Sequence, residues 1–348
     1  MDGSSLPVTI RPFTTADARP WDSFVNACAS ATFFHLSPWK RVIERAFGHK
    51  THYLIAERAG VITGVLPLTH IRSAIFGSAL ISNAFAVQGG PAAADDESRE
   101  ALDSAAARLM DERRVATLEM RGFAAERSKW QTKSDLYATF RRPLQPSVEA
   151  NLKAVPRKQR AMIRKGIQNG LRSEVDNDVD RLYRIYAESV RNLGTPVFGK
   201  SYFRILTEEF AGCCDIVTVM TDDQPVASVL NFYFRDEVLP YYGGGKVAAR
   251  ALAANDFMYW EVMRRACERG CRLFDFGRSK IGTGAYAFKR NWGFEPTPLI
   301  YQFRVAAGAT APDLNPLNPK FRLMVAAWKR LPLSIATRLG PLIVKGIG

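Results

Sequence analysis

The chain has 348 residues, of which 47% are hydrophobic and 24% charged, so it can fill the cores of two globular domains and disorder is not expected. Its net charge of +14 favours anionic partners. Met1–Phe13 lacks the pattern of a signal peptide, and no run of about 18 apolar residues could span a bilayer. We therefore expect a cytoplasmic protein.

The two halves of the chain repeat one order of elements. The first half has strands at 52–57 and 61–70, the glycine cluster 88–91, a helix at 96–112 and a strand at 115–122. The second half has strands at 215–221 and 226–234, the glycine cluster 240–245, a helix at 255–269 and a strand at 272–278. Gly89 precedes Glu119 by 30 residues, and Gly245 precedes Asp275 by the same 30. The repetition predicts a duplicated α/β domain; the alternative is two unrelated α/β segments.

Two shifts in composition mark the predicted boundaries. The first is the Pro-rich joint at 141–146, and the second is the Ala/Pro/Asn-rich segment 306–319. We therefore place one domain at 1–145, a second at 146–305 and a tail at 306–348.

The five cysteines give no sign of a disulfide framework or a metal site. They are Cys28, Cys213, Cys214, Cys267 and Cys271. Neighbouring cysteines pair poorly, and none of the spacings matches a zinc site. We expect reduced thiols and no bound metal.

A basic helix is predicted at 156–168, opened by Pro156. No acid occurs between Glu149 and Glu174. The helical spacing places three arginines on one face, with lysines beside them, and leaves Ile163 and Ile167 to pack on the other side. The predicted phosphate-binding residues are Arg157, Lys158, Arg160, Arg164 and Lys165. The alternative is a solvated basic face.

The tail is a second basic region. After Asp313 the chain has six cations and no acid, and Trp328 and large aliphatic residues lie between the cations. Basic amphipathic helices of this kind bind the surface of anionic membranes. We expect contact with the inner face of the cytoplasmic membrane; the alternative is a tail packed on its own domain with its cations facing water.

The strongest functional signal is the segment 274–280 followed by 288–295. The first reads as a buried strand ending in a basic, glycine-containing loop, and the second as a short helix closed by Gly293. Lys289, in the last turn of that helix, is placed to meet an anion or a developing negative charge.

Four segments carry a resemblance to a known family: Phe34–Trp39, Gln88–Pro91, Arg157–Lys165, and Phe288-Lys289 before Gly293-Phe294. With them, and with Asn315–Arg322 of the tail, nearly the whole chain resembles the FemAB/FemX-like branch of the acyl-CoA N-acyltransferase (GNAT-like) superfamily. Within that branch it is most similar to FemAB-like proteins of exosortase (PEP-CTERM) and exopolysaccharide systems. The resemblance implies an α/β fold of two tandem GNAT-like domains, with mixed sheets flanked by helices.

The resemblance also implies an activity, the transfer of an aminoacyl group from aminoacyl-tRNA to an amine on a cell-wall precursor. Lys289 matches the family's lysine that orients the ester and stabilises its transition state. The basic helix matches a site for substrate phosphates. The further predicted substrate-binding residues are Tyr241, Tyr242, Gly243, Gly244, Arg278, Lys280 and Phe288.

Two departures from the family bear on the donor. The superfamily's glycine-containing pyrophosphate loop is missing after Gly245, which argues against ordinary acyl-CoA binding. The helical-hairpin insertion of several members has no room within Gly170–Gly194, which argues against tRNA. The donor is therefore left open between aminoacyl-tRNA and an acyl thioester, with no bound cofactor.

The chemistry needs alignment, a neutral amine and stabilisation of an oxyanion. The N–H groups of 243–245 and the Lys289 ammonium are predicted to stabilise the oxyanion. Asp275 is either the base or a structural carboxylate paired with Arg278 or Lys280.

We predict an acyltransferase that forms an amide on an amine of a phosphorylated or lipid-linked envelope glycan precursor, for peptidoglycan or exopolysaccharide. One alternative is acylation of an amino sugar or lipid from acyl-CoA or acyl-carrier protein. Another is a non-catalytic protein that binds anionic polysaccharide or lipid diphosphate.

Overall fold

The computed structural model describes residues 6–73, 77–122, 127, 129–309 and 319–348, with 319–322 described by their backbone only. The chain forms two compact units. The first consists of Met1–Ser134, Leu299–Asp313 and Lys345–Gly348, and the second of Asp135–Pro298 and Leu314–Val344.

The helices and strands follow the predicted alternation along the chain. The first part contains β1 (Thr9–Pro12), α1 (Ala18–Ala27), α2 (Pro38–Phe47), β2 (Lys50–Arg58), β3 (Val61–Ser73), β4 (Gly77–Ser82), β5 (Ala92–Ala93), α3 (Asp96–Glu112), β6 (Thr117–Gly122) and β7 (Gln131–Lys133). The middle part contains β8 (Tyr137–Pro143), α4 (Val148–Ala154), α5 (Arg157–Gln168), β9 (Arg172–Asp176), α6 (Val179–Leu193), α7 (Lys200–Glu209), β10 (Cys214–Thr221), β11 (Gln224–Phe234), β12 (Glu237–Gly245) and α8 (Ala254–Glu268). The last part contains β13 (Leu273–Asp275), β14 (Ser279–Lys280), α9 (Gly284–Asn291), β15 (Pro296–Pro298), β16 (Ile300–Val305), α10 (Pro319–Arg330) and α11 (Leu333–Lys345).

Each unit is built around one mixed sheet, and within the described residues each sheet has eight strands. The first sheet has the order β1-β2-β3-β4-β6-β16-β7, with β5 paired to β3; the second has β9-β10-β11-β12-β13-β8-β14, with β15 paired to β8. In both, three antiparallel pairs lead to one parallel pair, β4 with β6 and β12 with β13. The predicted duplicated α/β fold is confirmed.

The two sheets exchange a strand, which moves the boundaries away from the predicted ones. Strand β8 pairs with β13 in the second sheet, and β16 pairs with β6 in the first. The predicted boundary at 145 falls after Pro143, which is opposite Leu273 in the second sheet. The Pro-rich joint is therefore partly strand, and a composition shift does not coincide with the change of unit.

The two glycine clusters do not occupy equivalent places, although their spacing is equal. Gly243–Gly245 end β12, whereas Gly89 and Gly90 lie in a loop after β4 and donate their N–H groups to the Arg121 carbonyl at 3.0 and 2.7 Å. Sheet order makes β4 the counterpart of β12. The duplication is real, but the matched glycines are not its evidence.

Each unit has its own apolar core. Leu66, Leu80, Leu102 and Leu118 are fully buried in the first unit. In the second unit, four fully buried aromatic side chains of one core cluster surround the end of β13; they are Phe140, Phe274, Trp292 and Phe294. This aromatic core fixes the position of the segment that carries the strongest functional signal.

Helix α11 packs on the second unit through a glycine, and a methyl group there should dislodge it. A Cβ at Gly340 would lie 2.5 Å from the carbonyl oxygen and 2.6 Å from the nitrogen of Val197, and backbone cannot move aside cheaply. We expect Gly340→Ala to lower the free energy of unfolding by about 1–3 kcal/mol. Gly284→Ala is the control, because no atom lies within 4 Å of its added Cβ. Chemical denaturation of both variants checks the expectation; equal stability would contradict it.

Candidate active site

A wedge opens in the second sheet where β12 and β13 separate. The two strands pair in parallel only at Glu237 with Leu273 and Val238 with Phe274. Strand β12 then continues to Gly245, while the chain after β13 turns away, with the Phe276 N–H donating to the Phe140 carbonyl at 2.8 Å. The edge of β12 beyond Val238 therefore faces an opening that no described strand fills.

Backbone donors of β12 point into this wedge. The Lys246 N–H donates to the Val226 carbonyl at 2.9 Å. Because N–H groups alternate between the two edges of an antiparallel strand, the N–H of Gly244 faces β11 and those of Gly243 and Gly245 face the wedge. Two amide donors thus line one wall of the opening.

The glycines of β12 are required by packing. A Cβ at Gly243 would lie 2.8 Å from the Cβ of Val229, and one at Gly244 would collide with Ser189 of α6. The sequence prediction assigned Gly243 and Gly244 to substrate binding; of their two N–H groups, the alternation directs only that of Gly243 to the wedge.

Lys289 holds the loop that follows β13. Its Nζ donates to the carbonyls of Gly277 at 2.9 Å and Arg278 at 3.1 Å, and it lies over the rings of Phe140 and Phe276 at 5.5 and 5.7 Å. The residue is partly accessible, but its amine is enclosed by these rings. Burial lowers the pKa of Lys289 to about 7, although the nearby charge of Asp275 acts to raise it.

Asp275 holds the same loop from the other side. Its Oδ1 accepts the Gly277 N–H at 2.7 Å, and its Oδ2 lies 3.3 Å from Nε of Arg141. Burial raises the pKa of Asp275 although Arg141 lowers it. The ion partner of Asp275 is therefore Arg141 of β8, which is opposite it in the sheet. The sequence alternative, a structural carboxylate paired with Arg278 or Lys280, named the wrong partner.

Arg141 is a residue of the candidate site that the sequence prediction missed. It also forms an ion pair with Glu237, whose carboxyl pKa is raised by burial. The only sequence signal was a basic pair before Pro143, which resembled a linker. Its role follows from the strand exchange, because β8 must enter the second sheet before Arg141 can meet Asp275.

The structure gathers some of the predicted residues around the loop 276–278 and places others elsewhere. The ring of Tyr241 approaches to 4.0 Å from the Cβ position of Gly277, and a bulge in β12 at Tyr241 aims it there. Tyr242 points into the core, where its hydroxyl lies 2.7 Å from that of Tyr202. Tyr241 is the tyrosine at the wedge, and Tyr242 supports it from behind.

Three further predicted residues have defined surroundings. The Arg278 guanidinium lies over the ring of Tyr137 at 4.6 Å. Lys280 belongs to the short strand β14 and is opposite Tyr137. The ring of Phe288 packs against Tyr259 at 5.7 Å, so Phe288 anchors α9 to the core. Arg278 and Lys280 give the mouth of the loop a positive charge.

The basic helix forms as predicted, although its buried face differs. Gln159, Ile163 and Gly166 are buried, whereas Ile167 is 55% exposed, so the expectation that Ile167 packs is wrong. The Gly166 position touches Phe257 of α8, where a Cβ would lie 2.8 Å from that of Phe257. Packing on α8 therefore buries the face that carries Gln159, Ile163 and Gly166, and it leaves Ile167 at the edge of that face.

Four of the five predicted phosphate-binding residues are free on the surface. Arg157, Lys158, Arg164 and Lys165 are exposed and, among the described residues, pair with no acid; we call these four the basic stripe. Arg160 instead donates to the carbonyls of Lys153 and Val155 at 2.6 and 3.0 Å, which ends α4.

The basic stripe begins beside the helix that carries Lys289. A Cβ at Gly293, just after α9, would lie 3.1 Å from Pro156, which immediately precedes α5. Arg142 joins the same corner by donating to the Trp292 carbonyl at 3.2 Å. Within the second unit, a phosphate on the stripe is therefore near the C-terminal end of α9.

The N-terminus of α8, where a GNAT pyrophosphate loop is expected, carries a carboxylate. Asp256 in the first turn accepts the Trp292 indole N–H at 3.0 Å, and burial raises the pKa of its carboxyl. The loop before the helix has no glycine after Gly245, and Ala253 adopts a left-handed φ of 60°. A diphosphate at this helix end would meet Asp256.

Neither a metal cluster nor a membrane span is present in the described part of the chain. No three His, Cys, Asp or Glu side chains converge there as metal ligands, and none of the five cysteines, all of which the structure describes, forms a disulfide. No helix among the described residues has both the length and the apolarity to cross a bilayer.

Comparisons with known proteins agree with this geometry. Residues 157–290 match the family model of the acetyltransferase (GNAT) domain. A search of curated proteins finds no match. FemX has a similar structure, with 14% identity, a TM-score of 0.67, and coverage of 84% of this chain and 96% of FemX.

Two other solved structures share the fold at low identity. The C-terminal domain of a protein described as a lysylphosphatidylglycerol synthetase from Agrobacterium fabrum is 13% identical, with a TM-score of 0.56 and coverage of 84% and 93%. A tandem GNAT protein from the clavulanic acid biosynthesis pathway is 14% identical, with a TM-score of 0.52 and coverage of 87% and 100%. The exosortase subgroup stays a prediction, while the FemAB/FemX-like resemblance is confirmed in fold: the chain contains a GNAT acetyltransferase domain at 157–290 and shares its overall fold with FemX and with a tandem GNAT protein.

Proposed function

We propose that this protein is an N-acyl or aminoacyl transferase that forms an amide on an amine of a cell-envelope precursor. The GNAT domain at 157–290 supports acyl transfer. The fold shared with FemX and with the protein described as a lysylphosphatidylglycerol synthetase makes an envelope substrate the leading candidate.

The proposal rests on two features: the amide donors that β12 directs into the wedge, and Lys289, whose Nζ binds the carbonyls of the loop after β13. The donor carbonyl enters the wedge, and the acceptor amine attacks it to form a C–N bond and a tetrahedral oxyanion. The N–H groups of Gly243 and Gly245 and the Lys289 ammonium are the available donors to that oxyanion. Collapse of the intermediate expels the alcohol or thiol of the donor, and the amine proton leaves with it or to water.

Asp275 positions the loop in this scheme. Its carboxylate is already engaged by the Gly277 N–H and by Arg141. A base must lie within hydrogen-bond reach of the reacting nitrogen, whereas the contacts of Asp275 are with the loop and with Arg141. We therefore assign Asp275 a positioning role. It fixes Gly277, and the carbonyl of Gly277 in turn binds Lys289.

The two donor classes are distinguished by the surface around α8 and α5. Asp256 at the N-terminus of α8 disfavours the diphosphate of an acyl-CoA, whereas the basic stripe favours a polyanion such as the tRNA of an aminoacyl ester. An acyl thioester on carrier protein remains the second candidate, because GNAT domains suit thioesters. The basic stripe also supports the third candidate, a binding protein for anionic polysaccharide or lipid diphosphate.

Radiolabel transfer tests the function directly. The purified chain is mixed with amine-bearing, UDP-linked or lipid-linked glycan precursors and with labelled charged tRNA, with or without ribonuclease, or with labelled acyl-CoA or acyl-carrier protein. We expect amide formation from charged tRNA that ribonuclease abolishes. Transfer from a thioester alone would assign the second candidate, and binding without any transfer would assign the third.

Removing the basic stripe should weaken polyanion binding. We expect the triple change Arg157→Ala, Arg164→Ala and Lys165→Ala to reduce affinity for tRNA and to reduce the slope of log K against log salt by about 2–3, because each lost phosphate contact removes nearly one released counterion. Binding isotherms at several salt concentrations give the slope. Arg160 is left intact, since it closes α4.

A matched control is the removal of exposed cations from other surfaces. Arg19→Ala with Arg72→Ala should leave the slope unchanged, because both side chains are exposed in the first unit. An unchanged slope in the triple variant would show that the stripe is only a solvated face.

A further inference from the structure

Helix α11 has two apolar faces, and only one of them is used in packing. Ala336, Gly340 and Val344 are spaced by four residues and are buried. Gly340 packs on the backbone of Val197, and a Cβ at Gly199 would lie 3.6 Å from Pro341. This face attaches α11 to the second unit, which matches the part of the sequence prediction in which the tail packs on its own domain.

The second apolar face of α11 is exposed. Ile335, Leu339 and Leu342 are 42%, 44% and 72% exposed, and spacings of four and three place them on one stripe of the helix. On α10, Leu323 and Met324 are 82% and 64% exposed. We call these five residues the exposed ridge.

The ridge is a concentration of apolar surface. Five of the eleven large exposed hydrophobic residues in the described part of the chain belong to it, although α10 and α11 are only 12 and 13 residues long. Scattered single exposures are ordinary, but five on two consecutive short helices indicate a binding surface.

The charge around the ridge identifies what covers it. From Leu314 to Gly348 the chain has six cations and no acid. Arg338 and Lys345, seven residues apart, lie along one side of the stripe of α11, and Arg330 ends α10. Their side chains are exposed and, among the described residues, pair with no acid. An apolar stripe with a purely cationic border complements an anionic lipid leaflet, in which acyl chains lie beneath negative headgroups.

We propose that the exposed ridge docks the second unit on the surface of an anionic membrane, with the leucines in the headgroup layer and the cations on lipid phosphates. A second copy of the chain is a poor occupant, because two such faces would bring their cations together. The contact needs no unfolding, since α11 keeps its packing on Val197 through a separate face, that of Ala336, Gly340 and Val344. The proposal is independent of the transferase chemistry and places Lys289 in a unit held at the leaflet.

Cosedimentation of the full-length chain with vesicles tests the proposal. The vesicles are phosphatidylcholine alone, or phosphatidylcholine with a minority of phosphatidylglycerol. We expect binding to the anionic vesicles only, and weaker binding as salt rises. Arg330→Ala with Arg338→Ala should lower the partition coefficient by about 5-fold per cation.

Two pairs of ridge variants test the apolar part of the contact. Leu339→Ser with Leu342→Ser, and separately Leu323→Ser with Met324→Ser, should each weaken binding about tenfold or more. The pair on α10 covers the case in which the α11 variant fails to fold. Val61→Ser with Val175→Ser, which are 66% and 48% exposed elsewhere, is the control and should bind as wild type.

Three results would overturn the proposal. The first is equal binding to neutral and anionic vesicles. The second is wild-type binding by both pairs of ridge variants. The third is a dimer in lipid-free solution that the ridge variants abolish, together with no vesicle binding, which would make a second copy the occupant.

Discussion

Lys289→Ala is expected to lower kcat by about 10²–10³-fold with the fold intact, which is the usual effect of losing one oxyanion donor. The lysine lies at the end of α9, where its Nζ donates to the carbonyls of Gly277 and Arg278 in the loop after β13. Arg290→Ala is the control, because Arg290 is the next residue on the same helix and is exposed. An alanine variant with wild-type turnover would eliminate the role.

The pH dependence of the same variant separates two uses of Lys289. Burial lowers its pKa to about 7, so the ammonium predominates below that pH and the neutral amine above it. If the ammonium stabilises the oxyanion, the ratio of wild-type to Lys289→Ala activity falls as pH rises through about 7. Taking the ratio removes the opposite trend of the acceptor amine, which must be neutral to attack. A ratio that rises with pH would make Lys289 a general base instead.

The stability of the wild-type protein should report the same pKa. The unfolded chain holds this proton up to about pH 10.5, whereas the folded chain releases it near 7. Between those values the unfolded state binds more protons, so the free energy of unfolding gains a contribution that rises with pH. The rise should be missing in Lys289→Ala, which gives a check on the pKa that needs no substrate.

The sequence was sufficient to predict elements whose signals are local. The helix at 96–112 coincides with α3, and Gly293 closes α9 with a φ of +78°, as the position after a helix requires. Lys289 was identified because a lysine in the last turn of a short helix beside a basic loop is visible in the sequence itself. The basic stripe was visible for the same reason, through its spacing and the absence of acids.

What the sequence did not show depends on contacts between distant segments. Arg141 meets Asp275 only because β8 leaves its own half of the chain and enters the second sheet. The difference between Tyr241 and Tyr242 is made by a bulge in β12, whose place depends on the register with β11. The tail likewise reads as one amphipathic segment in the sequence. Its two apolar faces can be told apart only in the folded protein, where one is buried against the second unit and the other is exposed.

Arg141→Met is expected to lower the free energy of unfolding at neutral pH by about 3 kcal/mol, because it leaves two largely buried carboxylates without their counterion. Arg141 pairs with both Asp275 and Glu237, whose side chains are 13% and 18% exposed. Arg141 itself is 32% exposed, so solvent screens part of its charge. The expected loss of stability is therefore at the lower end of the range for breaking a buried ion pair.

The loss should depend on pH in a defined direction. Burial raises the carboxyl pKa of both Asp275 and Glu237, so their charged forms oppose folding above those pKa values, and Arg141 offsets part of that cost. As pH falls through the raised values the carboxyls become neutral, and the difference between wild type and variant should shrink. Denaturant unfolding of both proteins from neutral to acidic pH measures it. A loss of equal size at every pH would mean that Arg141 contributes packing and not charge.

A double-mutant cycle links this ion pair to the site. Asp275→Asn removes one of the two stranded charges, so adding it to Arg141→Met should cost less than the sum of the two single changes. Arg141→Lys keeps the charge and should lose less than Arg141→Met. Asp275 also accepts the N–H of Gly277, and the carbonyl of Gly277 accepts a hydrogen bond from Lys289. Each variant that loosens Asp275 should therefore also lower turnover. Full activity in a variant that has lost the pair would show that the loop keeps its place without Arg141, and that Lys289 alone positions it.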